Sequence, residues 1–210
     1  MISLSNYRVI LDKIACYAKR IEFFNWGEPY LNKNINAMVK LASERGIKTT
    51  ISSNLSISGL DYEAIVTSGL TNLTVSIYGA SQETYGKYRI GGDYHLVLRN
   101  MAGIEAAKKQ LKSDQPKVRW QFLINKFNEH ELDNARELAR VMGIQIIFRL
   151  MNVPDKSWSS SLTNPEYALK YDKTSSKEEY LAANRSLPRR LTDVILHPEI
   201  PAIAGKYIKE

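Results

Sequence analysis

The sequence predicts an α/β protein with parallel strands. Three observations carry that prediction. Short β-branched or aromatic runs alternate with amphipathic stretches of about 10–15 residues, the pattern of strands joined by crossover helices. The strand starts lie roughly 25–45 residues apart, which suits β-α-β units. The residues just after the strands are polar or glycine-rich, and parallel sheets and α/β barrels place ligands there.

The elements follow in order. Residues 4–19 read as a helix, with Leu4, Val9, Ile10, Ile14, Tyr17 and Ala18 near helical spacing and Ser3 or Ser5 as its cap. Ile21–Phe24 is a short strand, stopped by Gly27 and Pro29. A helix over 32–45 closes at Gly46, and Ile47–Ser52 is the next strand. A helix over 60–68 ends near Gly69 and leads into the strand Leu73–Tyr78. Ser81 opens a short helical turn, and Gly91-Gly92 interrupts the chain before a longer helix over 94–111. In that helix Leu96, Val97, Met101, Ile104 and Ala107 point inward. Val118–Ile124 is a strand, 129–142 a helix closing at Gly143, and Ile144–Leu150 the last strand. The expected domain spans 1–151. Residues 152–210, with Pro154, Pro188, Pro198 and Pro201, read as a linker and a short helical or irregular tail, with one or two short helices over 164–186.

Composition narrows the function. The 210 residues are 44% hydrophobic and 24% charged, which argues against wholesale disorder. A chain with one cysteine, Cys16, cannot make an internal disulfide or a site built on several of its own thiolates. No apolar run approaches the roughly 18 residues of a membrane span, and no signal-peptide core opens the chain, so a cytoplasmic protein is expected. The formal charge is +7, but the basic residues come as doublets such as Lys108-Lys109 and Arg189-Arg190, with no nucleic-acid motif. A solvated basic surface is therefore expected rather than nucleic-acid binding. Trp26, Trp120 and Cys16 are expected to be buried. His95, His130 and His197 form no metal-spaced pair.

The post-strand segments supply the candidate site. Glu28, between Gly27 and Pro29, could accept strong hydrogen bonds from an ammonium, or simply be solvated. Ser53, Asn54 and Ser76 could bind a carboxylate or hydroxyl, or serve turn chemistry. Arg89, just before Gly91-Gly92, could fork a carboxylate or lie at the surface. Gln121, inside its strand, needs a partner if buried.

In this order the segments resemble the radical S-adenosylmethionine (SAM) superfamily, most closely members with a C-terminal SPASM region. Ile21-Glu-Phe-Phe-Asn-Trp-Gly-Glu-Pro is similar to the second strand and its GGEP motif. Ile51-Ser-Ser-Asn-Leu is similar to the segment after the third strand. The stretch from Leu73 to Tyr94 is similar to the fourth-strand motif, and Val118–Asn125 with Asn128-Glu-His-Glu to the fifth strand and its helix. The resemblance covers about residues 4–151. It implies a partial (β/α)6 TIM-like barrel with its first strand missing, and SAM and a 4Fe–4S cluster as cofactors. Gly27 and Glu28 would hold the SAM amino group, and Ser76 and Arg89 would approach its ribose or carboxylate. Ser53, Asn54 and Gln121 would lie near the SAM and substrate cavity. Tyr78 stands where relatives commonly have Asp.

The family's CxxxCxxC cluster motif and the SPASM cysteines are absent from this sequence. The expectation is a truncated or fragmentary radical SAM enzyme, inactive alone. The alternative is a cluster-free SAM-like binding or partner protein on a degenerate barrel. The substrate is not readable, and an uncovered strand edge allows self-association. An unrelated α/β enzyme with an anionic substrate is the remaining competitor.

Overall fold

The computed structural model describes residues 2–151 and 155–162. Expectations for the rest of the 152–210 tail, His197 included, lie outside the described residues. Five parallel strands form one sheet in chain order: β1 (Arg20–Glu22), β2 (Lys48–Ser53), β3 (Asn72–Ser76), β4 (Lys117–Ile124) and β5 (Gln145–Leu150). A strictly sequential order is the winding of a barrel wall, whereas a doubly wound sheet reverses its order partway. The fold is a partial α/β barrel.

Six α-helices accompany these strands among the described residues. They are α1 (Leu4–Ile14), α2 (Ile35–Ser43), α3 (Tyr62–Thr67), α4 (Gln82–Tyr88), α5 (Tyr94–Gln110) and α6 (Leu132–Met142). Side-chain alternation divides the sheet into two faces. Ile51, Leu73, Val75, Val118, Trp120, Phe122 and Phe148 are buried in the main core with residues of α2, α3, α5 and α6. The opposite face carries Thr50, Ser52, Thr74, Arg119, Gln121 and Arg149, which are only partly buried or exposed. Parallel register sets these side chains in rows, Ser52 beside Thr74 beside Arg119, and Ser76 beside Gln121. One face is a helix-covered core, and the other is a more open, mainly polar surface that also carries Leu123 and Ile147.

The predicted caps hold. Ser3 caps α1, its hydroxyl accepting from the Asn6 amide at 3.2 Å. Ser81 caps α4 through the Thr84 amide at 3.3 Å. Gly103, mid-way along α5, is kept by space. A Cβ there would lie 2.3 Å from the Tyr62 ring of α3. That approach lets the Tyr62 hydroxyl donate to Asn100 Oδ1 at 2.8 Å, while Asn100 Nδ2 donates to the carbonyls of Leu55 and Ile57. The helix pair thereby holds the loop that follows β2.

Three expectations are corrected. Helix α1 stops at Ile14 rather than 19, where the Tyr17 and Ala18 amides both turn back to the Ile14 carbonyl. Its buried face is Tyr7 and Leu11, against Met38, Ala42 and Ile47, while Val9, Ile10, Ile14 and Tyr17 are exposed. Cys16 lies in the turn beyond that helix and is exposed. Trp26 sits in the loop after β1 at 94% exposure, whereas Trp120 is fully buried.

No helix of the described residues is long and apolar enough to cross a membrane.

Candidate functional site

The loops beyond the carboxyl ends of the strands bring the candidate residues to one end of the sheet. After β1, Gly27 adopts φ +92°, a conformation that side chains rarely take, and the space beside its Cα is open for 4 Å. This turn presents Glu28, which caps the short 3-10 turn Pro29–Leu31. Its Oε1 accepts from the Tyr30 amide at 3.1 Å and from the Ser53 hydroxyl at 2.7 Å, and its Oε2 accepts from the Asn54 amide at 2.8 Å. One carboxylate therefore ties the β1 loop to the end of β2. A carboxylate offers about four acceptor positions, so one direction remains for a further donor.

Ser53 and Asn54 also serve their own turn. The Leu55 amide donates to Ser53 Oγ at 2.9 Å and the Ser56 amide to Asn54 Oδ1 at 2.7 Å. Ser76, buried at the end of β3, faces Ser52 with their hydroxyls 3.5 Å apart, at the limit of a hydrogen bond. Gln121 sits beside Ser76 on the open face and makes no side-chain hydrogen bond among the described residues. The β3 end is itself fixed from below, because Trp120 Nε1 donates to the Ile77 carbonyl at 2.9 Å.

Arg89 ends α4. Its guanidinium lies 5.6 Å from the Tyr78 ring centre and 5.4 Å from that of Tyr88, and its Nε is buried without a hydrogen-bond acceptor among the described residues. Stacking on two tyrosine faces holds a guanidinium in place without using its donors. Burial pushes the Tyr85 phenol above its ordinary value; the nearby Ser56 hydroxyl and the Arg89 charge oppose that shift, while Asp93 and Glu28 add to it. Both Glu28 and Arg89 are thus close enough for Tyr85 to feel their charges. Burial, reinforced by Glu28, likewise pushes the Tyr30 phenol up.

The structure thus gathers Glu28, Ser53 and Asn54 in one hydrogen-bonded cluster next to the Gly27 turn, with Ser76 and Gln121 adjoining each other and Arg89 on its tyrosines. Two features escape the sequence reading. An aromatic group formed by Tyr78, Tyr88, Phe127 and Trp158 stands beside Arg89, with Trp158 4.9 Å from Phe127 and 6.1 Å from Tyr88. Glu131, only 6% exposed, accepts from the Ala80 amide at 2.7 Å and from the Thr84 hydroxyl, clamping the loop between β3 and α4. The only sequence signal for this clamp is Thr84 three residues after the capping Ser81, a position where a capping box has Glu.

Residues 155–162 close over this end. The Lys126 amide donates to the Trp158 carbonyl at 3.1 Å, and the Ser160 and Ser161 hydroxyls donate to Glu129. Burial alone would raise the Glu129 carboxyl, but the hydrogen bonds from the Ser160 and Ser161 hydroxyls and the Ser161 amide outweigh it and hold the group below its ordinary 4.5. A carboxyl depressed in the folded state stabilises fully above its unfolded value, and that contribution is lost as pH falls through the folded value. The docking of 155–162 should therefore loosen below pH 4.5. In a Trp26→Phe background, Trp158 emission should shift to the red over that range. Glu129→Gln should show part of the shift already at neutral pH. Emission that stays constant down to about pH 3 would refute the coupling.

No protein-family model matches the chain. Among curated proteins it is similar to the AdoMet-dependent heme synthase of Methanosarcina barkeri (strain Fusaro / DSM 804), 27% identical over 134 residues. That match takes in 63% of this chain and 37% of the relative. Two solved TYW1 structures are also similar. The archaeal protein superposes with TM-score 0.49 over 69% of this chain, and TYW1 with a lysine-pyruvate adduct bound with 0.47 over 72%, each at 17% identity. The chain spans half the length of those two and 37% of the curated relative. The curated relative is AdoMet-dependent by name, in line with the resemblance that the order of the sequence motifs carries.

Proposed function

We propose that this chain binds SAM at the carboxyl end of its partial barrel, as the SAM-binding part of a radical SAM enzyme. The observation that carries this is the convergence of an acceptor and a donor at one end of a parallel sheet. Glu28 keeps an acceptor direction suited to an ammonium, and Arg89, held by Tyr78 and Tyr88, keeps donors suited to a carboxylate. The amino-acid end of SAM carries both groups. Open backbone at Gly27 admits a ligand, while Ser76 and Gln121 offer polar atoms to its ribose.

The residues fit SAM and do not fit the cluster. Cys16 is the single cysteine of the sequence, and among the described residues no three His, Cys, Asp or Glu side chains group as a metal site. The role proposed for this chain is to bind and orient SAM. In radical SAM enzymes, SAM is reductively cleaved and a hydrogen atom taken from substrate. The electron source for that chemistry is not among these residues. The lone exposed Cys16 favours a second reading, a cluster-free SAM-binding protein. Intact mass and iron content of the polypeptide from its own cells separate the two.

Calorimetric titration with SAM tests the proposal. The wild-type chain should bind one equivalent. Arg89→Ala should weaken binding about tenfold or more, and Arg89→Lys should fall between, keeping the charge but losing the fork. A folded chain that does not saturate at about 1 mM SAM, a binding free energy of only about 4 kcal/mol, would end it.

A further inference from the structure

A cavity of about 710 Å³ opens at the other end of the sheet from the candidate site, beneath the amino-terminal ends of β4 and β5 and the carboxyl end of α5. Its charged lining is Lys108, Lys109, Lys112, Lys117 and Arg119 against Glu105 and Asp114. Both acids are already committed: Lys108 Nζ bonds both Glu105 oxygens at 2.8 and 2.9 Å, and Lys117 pairs with Asp114 at 2.8 Å. Lys109, Lys112 and Arg119 keep no acidic partner among the described residues, and the half-buried Arg119 has an Nε with no acceptor. The groove thus concentrates uncompensated positive charge in a concave space.

Lys112 is the telling residue. Helices α2, α3 and α6 all end on glycines in the left-handed region, Gly46, Gly69 and Gly143, with φ +72°, +77° and +68°. Helix α5 ends in the same manner, the Ser113 amide donating to the Lys108 carbonyl at 2.9 Å and the Lys112 amide to that of Lys109 at 3.2 Å. Yet its left-handed position, φ +51°, is held by a lysine. That conformation disfavours any side chain with a Cβ. A strained residue that also lines a charged cavity points to a use for its side chain.

We propose that this groove is a second binding site, for a small anion carrying two or three linked phosphates. Three uncommitted cations suit a multiply charged ligand, and the Arg119 fork suits phosphate oxygens. The cavity falls in the range of about 300–1,000 Å³ common for small-molecule sites. No aromatic side chain lines it, so it lacks the stacking platform that single-stranded nucleic acid uses.

Titration of the folded chain with tripolyphosphate, followed by amide NMR shifts at physiological salt, tests this. The expected result is saturable one-to-one binding with Kd below about 1 mM and shifts confined to residues around Lys112 and Arg119. Lys112→Gly separates binding from folding, because glycine prefers that backbone conformation. It should keep or raise Tm while weakening binding at least about fivefold, and Arg119→Gln should weaken it comparably. Pyrophosphate and ADP as further probes show whether the phosphates alone are read or a nucleoside as well. Shifts that fail to saturate, or an affinity indifferent to both substitutions, would overturn the site. Tighter, steeply salt-dependent binding of an RNA oligonucleotide would overturn the small-anion assignment.

Discussion

Glu28→Gln should lower stability by about 2 kcal/mol although it changes only one carboxylate oxygen to an amide nitrogen. The retained oxygen can still accept from the Ser53 hydroxyl and the Tyr30 amide. The new NH₂ must then meet the Asn54 amide, now 2.8 Å from Oε2, donor against donor. A part-buried N–H left without an acceptor incurs its desolvation penalty in addition to the lost hydrogen bond. For a domain of this size the loss corresponds to a Tm drop of roughly 4–8 °C. Ser53→Ala removes one donor to the carboxylate and the acceptor of the Leu55 amide, and should cost about 1 kcal/mol. Because both changes act on one network, the double variant should lose less than the sum of the two. Urea unfolding of the four proteins measures this cycle. Single losses below about 0.5 kcal/mol, or strict additivity, would show that Glu28 does not hold the β1 and β2 loops together.

Much of the fold was legible because parallel strands buried under helices leave strong local marks. The five predicted strands match β1–β5 to within a residue or two, and Gly46, Gly69 and Gly143 close their helices in the left-handed conformation expected of them. The face of α1 was not legible. Tyr7 and Leu11 are as well spaced for a helix as Val9, Ile10, Ile14 and Tyr17, and only contact with Met38 and Ala42 of α2 decides between them. The exposure of Trp26 is likewise set by the loop geometry after β1.

At the site, sequence placed residues at strand ends but could not pair them. Glu28 lies 25 and 26 residues from its partners Ser53 and Asn54, and Glu131 lies 51 from Ala80 and 47 from Thr84. Such pairs depend on which loops adjoin, a property of strand order. The aromatic group around Arg89 draws on four separate segments, at Tyr78, Tyr88, Phe127 and Trp158, and has no local pattern to read.

Gly79→Ala should be the most damaging single-methyl change at this end of the barrel. Gly79 does not need the left-handed region, so the reason for glycine is space. A Cβ there would sit 2.5 Å from the Tyr85 amide nitrogen and 2.9 Å from the Thr84 carbonyl carbon, which are backbone atoms of α4 and cannot rotate away. It would also meet Thr84 Oγ1 at 2.4 Å, the hydroxyl that donates to Glu131. Helix α4 must back off, and with it go the Thr84 and Ala80 donors of a carboxylate that is almost fully buried. Overpacking of this kind costs about 1–3 kcal/mol, and a buried carboxylate stripped of its donors adds a comparable amount, so a total near 4 kcal/mol is expected. Alanine also restricts the unfolded chain, which alone would stabilise by about 0.4–1 kcal/mol, so the measured loss would appear against that trend. Glu131→Gln keeps one acceptor oxygen and the shape of the clamp, and should cost about half as much. Displacing α4 moves Arg89 off Tyr78, so Gly79→Ala should weaken SAM binding while Glu131→Gln largely preserves it. Urea unfolding and SAM titration of the two variants read both effects. A Gly79→Ala protein within about 1 kcal/mol of wild type would mean that α4 slides freely and that the β3–α4 loop is not clamped.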